Sequence, residues 1–69
     1  MKISARNVLK GTVTAVRKGA VNSEVVIALP CGQEIVSIIT NASARGLGLR
    51  RGRAAYAVIK ASSVMVGVD

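Results

Sequence analysis

The sequence predicts an all-β domain, a small five-stranded Greek-key barrel with one short helix. Three observations carry that expectation. Short runs rich in Val and Ile recur along the chain, Gly- and Pro-bearing turns separate them, and one stretch with a helix-capping signature falls between the third and fourth runs. At 69 residues the chain holds a single domain, residues 1–69, with no internal repeat or linker.

From Val8 to Val16, Leu9, Val13 and Ala15 alternate with Lys10, Thr12 and Thr14, which is the period of a half-buried strand. Lys18-Gly19 is the expected turn. Ser23 to Leu29 forms the second strand, and Pro30-Cys31-Gly32 turns the chain into a third, Gln33 to Thr40. Val25, Val26 and Ile27, and then Ile35, Val36, Ile38 and Ile39, are apolar on both parities, so a second subunit is expected to cover one face. Thr40 or Asn41 caps a short helix through Arg45, which Gly46 and Gly48 end. After a turn at Leu49-Arg50-Arg51-Gly52, Ala54 to Lys60 and Val64 to Val68 supply two more strands, joined by Ala61-Ser62-Ser63. A helix between the third and fourth of five strands is the order of an OB-like barrel.

Composition limits what such a domain does alone. A chain this short hides only about 60% of its unfolded surface, yet 51% of its residues are apolar and Tyr56 is the only aromatic. Small domains add disulfides, metals or association. With one cysteine, Cys31, and no histidine, association is the expected route. Cys31 itself reads as a small turn residue.

Ten Lys and Arg against three acids give a net charge of +7, so the partner is expected to be anionic. No apolar run approaches the roughly 20 residues of a membrane span, and Met1 to Lys10 lacks the apolar segment of a signal peptide. The expectation is a cytoplasmic protein with no membrane partner, and a lone thiol agrees with it.

Catalysis is disfavoured. Histidine is absent, the acids are Glu24, Glu34 and Asp69, and neither Cys31 nor any serine has a usual general base. Neither an enzyme nor a cofactor is expected. A single-stranded nucleic-acid-binding module is the alternative for a basic OB-like domain, with Arg45, Arg50, Arg51 and Arg53 as its cationic surface. Such modules stack bases on aromatic side chains, and one tyrosine makes no platform. A regulatory or transporter accessory domain acting in trans is a further alternative, although no DNA-reading helix or nucleotide-binding loop is present.

A more specific pattern remains. Ser4-Ala5-Arg6-Asn7, Thr40-Asn41-Ala42-Ser43 and Lys60-Ala61-Ser62-Ser63 each set hydroxyls beside a cationic or amide donor at an element boundary. Singly, each is an ordinary cap or turn. Together they suit a tetrahedral dianion, which needs several N–H and O–H donors and positive charge to offset desolvation.

The segments Ile3-Ser4-Ala5-Arg6-Asn7, Leu9-Lys10-Gly11, Ile38-Ile39-Thr40 with Ser43 and Leu47, and Val58-Ile59-Lys60-Ala61-Ser62 with Val64-Met65 resemble the molbindin family, the free-standing form of the Mop domain. The likeness spans essentially the whole chain. It implies an OB-like subunit of a homohexamer, a trimer of dimers, that stores molybdate or tungstate at subunit interfaces in intracellular molybdenum homeostasis. By position it implies that Ser4, Ala5, Arg6, Thr40, Ser43, Lys60, Ala61 and Ser62 bind the oxyanion, with Arg6 and Lys60 neutralising charge and no side chain ligating the metal directly. A second site is implied at Lys18, Gly19, Ala20, Val21, Asn22 and Ser23.

Overall fold

A twelve-residue strand, β1 (Asn7–Lys18), organises the fold. In the computed structural model, which describes all 69 residues, its first half pairs antiparallel with β4 (Ala54–Ile59), from Asn7 opposite Ile59 to Thr12 opposite Ala54. Its second half pairs with β2 (Asn22–Ala28), ending with Lys18 opposite Ser23. β2 pairs along its whole length with β3 (Glu34–Thr40). The sheet order β3-β2-β1-β4 is three hairpin-connected strands with a fourth returning beside the first, a Greek key. The short helix α1 (Asn41–Gly46) lies in the return connection, so the architecture is the all-β, OB-like one that the sequence predicts.

Two local features let one strand serve two partners. A Cβ on Gly11 would fall on the Ala28 carbonyl and the Ile27 side chain, so only glycine permits the close approach of β2 where β1 changes neighbours. Two residues further on, the register slips between Val13 and Ala15, leaving Thr14 as the extra residue of a bulge, which bends the strand and increases its twist.

The bulge also corrects the alternation read from the sequence. Val13 lies opposite Ile27 and Ala15 opposite Val26, so Ala15 leaves the face that Val13 occupies and Val16 takes its place. The core is Val13, Val25, Ile27 and Ala57, flanked by half-buried Val16, Ile35, Ile39, Leu49 and Ala55. Only 7 of 69 residues are buried, which is the thin core that the length requires. On β3 the apolar residues of the other face stay in water, Val36 at 60% and Ile38 at 61% exposure.

The fifth strand differs from expectation. After β4 the chain makes a single 3-10 turn, Ala61–Ser63, and Val64 to Val68 then run without a sheet partner, Met65 and Val66 being more than nine-tenths exposed. Lys60 and Val64 flank that turn in extended conformation, so the chain is carried off the sheet instead of reversing onto β4. The edges of β3 and β4 therefore remain open, with an apolar cleft of about 460 Å³ lined by Val25, Ile27, Ile39, Leu49, Tyr56 and Val58 among others. No helix is long and apolar enough to cross a membrane.

Candidate oxyanion site

The register of β1 against β4 builds the first cluster. Asn7 is the first residue of β1 and lies opposite Ile59, the last of β4, and Asn7 Nδ2 donates to the Ile59 carbonyl at 3.3 Å. Arg6 and Lys60 are the residues immediately beyond this pair, so two cations leave the same end of the same ladder. Ser4 precedes Arg6 by two residues, and Lys60 begins the 3-10 turn that carries Ala61 and Ser62, closed by Ser63 N–H donating to the Lys60 carbonyl at 2.9 Å. Ser4, Arg6, Lys60, Ala61 and Ser62 are exposed and Ala5 is half-buried. Neither cation is held by a carboxylate, the one ion pair of the chain being Arg17 with Glu24 at 2.8 Å.

The second cluster forms where β3 gives way to α1. Thr40 caps the helix: its Oγ1 accepts the Ser43 N–H at 3.0 Å and donates to Ser43 Oγ at 2.9 Å. Ser43 is exposed and its hydroxyl has no protein partner besides Thr40, so the pair keeps donor capacity for an outside acceptor. An oxyanion is the kind of acceptor that such a relay suits.

The β1–β2 turn lies beside this cluster, since Asn22 pairs with Thr40 and Ser23 with Lys18. Gly19 N–H donates to the Asn22 carbonyl at 2.8 Å. Lys18, Gly19, Ala20, Val21 and Asn22 are exposed, whereas Ser23 is 2% exposed and its hydroxyl donates inward to Asn41 Oδ1 at 2.6 Å. That hydroxyl is therefore committed to the protein, and what the turn offers to solvent is Lys18, the small residues and Asn22.

The two clusters sit at opposite ends of β1. Arg6 and Lys60 flank its start, while Thr40 and Ser43 adjoin the Asn22–Thr40 end of the sheet, next to Lys18. Eleven residue steps separate Asn7 from Lys18, roughly 35 Å if the strand were straight. One chain sets Arg6 and Lys60 at one end of the β1–β4 ladder, with Ser4 and Ser62 each two residues from them along the chain, and Thr40, Ser43 and the β1–β2 turn at the other end of β1.

A TOBE domain family profile matches residues 3–66. A probable molybdenum-pterin-binding protein of Haemophilus influenzae is 49% identical over 69 residues, which is all of both chains. The chain belongs to the TOBE domain family. Within it the molbindin resemblance holds in three dimensions. The high-resolution structure of a molybdate-binding protein from Sporomusa ovata superimposes with a TM-score of 0.92 at 38% identity, over 99% of this chain and 100% of that one. The molybdate-bound form of ModG, titled a cytoplasmic molybdate-binding protein, superimposes with a TM-score of 0.96 at 51% identity, over 100% of this chain and 49% of that one.

Sequence reading passed over one residue of this TOBE domain that the geometry makes prominent. Asn41 bonds Gly19 and Val21 of the β1–β2 turn and Ser23 at the start of β2 with its amide and its backbone. The sequence marks Asn41 as a helix-cap candidate and as the amide beside Thr40 and Ser43, but not its bonds to Gly19, Val21 and Ser23.

Proposed function

We propose that this TOBE domain binds and stores molybdate or tungstate at interfaces between copies of itself, as a non-catalytic intracellular buffer of the anion. The observation that carries this reading is the separation of the two clusters along β1. The cationic one offers Arg6 and Lys60 with the hydroxyls of Ser4 and Ser62, and the other offers Ser43 and Thr40. Facing ends of two copies would combine positive charge and hydroxyl donors from both sides of one anion, which suits a dianion with four acceptor oxygens. The similarity to a molybdenum-pterin-binding protein and to two molybdate-binding proteins supports the choice of anion.

Self-association has support of its own. The segment Val64–Val68 is apolar and unpaired, and it follows directly on the Ala61–Ser63 turn. The open β3 and β4 edges and the apolar cleft fit such a segment from a second copy, since exposed edges are templates for another chain. Exchange of this kind is reciprocal and closes as a dimer. Three dimers make the homohexamer that the molbindin likeness implies.

Equilibrium dialysis against molybdate, tungstate and sulfate, combined with a native mass of the assembly, tests the reading. Saturable uptake of molybdate and tungstate by an oligomer is the expected result. A monomer, or uptake no greater than a blank, overturns it.

A further inference from the structure

We infer that Asn41 is a positioning residue for the oxyanion hydroxyls: it rivets the start of α1 to the β1–β2 turn and so holds Thr40 and Ser43 in their donating arrangement. This rests on the proposed oxyanion site and adds to it a residue that does not itself touch the anion.

Asn41 makes three hydrogen bonds to the β1–β2 turn and the start of β2. Its Oδ1 accepts from Ser23 Oγ at 2.6 Å, its Nδ2 donates to the Gly19 carbonyl at 2.9 Å, and its backbone N–H donates to the Val21 carbonyl at 2.8 Å. The orientation of the amide follows from its partners, because the Gly19 carbonyl can only accept. Ser23, at 2% exposure, is the single buried polar residue of the chain, and a buried hydroxyl left unpaired is costly. The contact is therefore built into the interior, and it uses both ends of the amide group.

The helix needs this anchor. α1 has six residues and one buried side chain, Ala44, and an isolated helix of that length does not hold itself. Thr40 belongs to the sheet and Ser43 to the helix, and the Thr40–Ser43 relay spans the joint between them. Asn41 is the first residue past that joint. Without its side-chain bonds the helix start is tied to the turn through one backbone bond only, and the joint that the Thr40–Ser43 bonds span loses its side-chain anchor.

The test is calorimetric titration of the assembled protein with molybdate, alongside thermal midpoints of the anion-free protein, for the wild type, Asn41→Ala, Ser23→Ala and Val13→Ala. Val13 is fully buried in the core and outside both clusters, so its truncation reports what loss of stability alone does. Asn41→Ala is expected to bind about tenfold more weakly. Ser23→Ala should weaken binding by less but in the same direction, and Val13→Ala should lower the midpoint while affinity stays within about twofold of wild type. Unchanged affinity in Asn41→Ala, or an equal loss in Val13→Ala, overturns the inference. If Asn41→Ala does not fold, Ser23→Ala decides: unchanged affinity there overturns it, and a loss absent from Val13→Ala upholds it. A wild type that takes up no molybdate removes the proposed function, and the positioning role with it, a result distinct from a variant that binds as the wild type does.

Discussion

Asn7 and Ile59 close the β1–β4 ladder, the amide of Asn7 donating to the carbonyl of Ile59 at 3.3 Å. The consequence is electrostatic. The next residues along each strand, Arg6 and Lys60, leave the same end of that ladder in a chain of net charge +7 that has one ion pair elsewhere. Two like charges on adjacent strand ends repel, and an anion between them attracts each more strongly than they repel one another.

Arg6→Ala should therefore weaken molybdate binding by about 10- to 150-fold, the range expected for lost charge-assisted hydrogen bonds. Titration calorimetry measures it. Wild-type affinity in the variant would remove Arg6 from the site.

Gly11→Ala should destabilise the fold without touching the anion site. A Cβ there meets the Ala28 carbonyl, which is backbone and cannot rotate away, and the Ile27 side chain. Overpacking of this kind costs about 1 to 3 kcal/mol. Urea denaturation should show a lower midpoint at unchanged slope, and an unchanged midpoint would mean that β1 and β2 separate at this crossing without cost.

Much of this molecule is local enough to be read in the sequence. The turns at Lys18-Gly19 and Pro30-Cys31-Gly32 and the Thr40 cap are set by residues within a few positions, and all three occur at the expected places. The bulge at Thr14 is not marked by any residue type, because it arises where a strand is shared between β4 and β2, and so the faces of Ala15 and Val16 were misassigned. The apolar run at Val64–Val68 is visible in the sequence, but pairing is a property of two strands and no second strand in this chain reaches it. The three hydroxyl clusters were equally visible as composition. That two of them share one end of β1 while the third lies at the other follows from register alone. Asn41 was missed for the same reason, since its partners Gly19 and Ser23 are 22 and 18 residues away.

Removing residues 64–69 should abolish assembly while leaving the four-stranded sheet. The segment forms one backbone hydrogen bond with the rest of its chain, Val64 N–H to the Ala61 carbonyl, so its loss takes little from the subunit's own fold. It takes four exposed apolar side chains, Val64, Met65, Val66 and Val68, from any partner. Native mass spectrometry should find a monomer, with β-sheet circular dichroism retained. An oligomer of wild-type mass would place the self-association elsewhere.

Subunit mixing separates a site within one chain from a site between chains. Arg6→Ala damages the cationic end of β1 and Ser43→Ala the hydroxyl end, so an assembly made of either variant alone has every shared site defective. Unfolded together in equal amounts and refolded, the two kinds of chain assort at random among positions. A shared site is intact when the Ser43→Ala chain supplies Arg6 and the Arg6→Ala chain supplies Ser43, which happens at about one site in four. Equilibrium dialysis of the mixed assembly should therefore recover about a quarter of the wild-type high-affinity capacity. If both ends served the same anion within one chain, each chain would still carry one lesion and mixing would restore nothing. Recovery thus requires that the two ends of β1 be brought to one anion by two different chains, and zero recovery from well-assembled mixtures would reject the interfacial site.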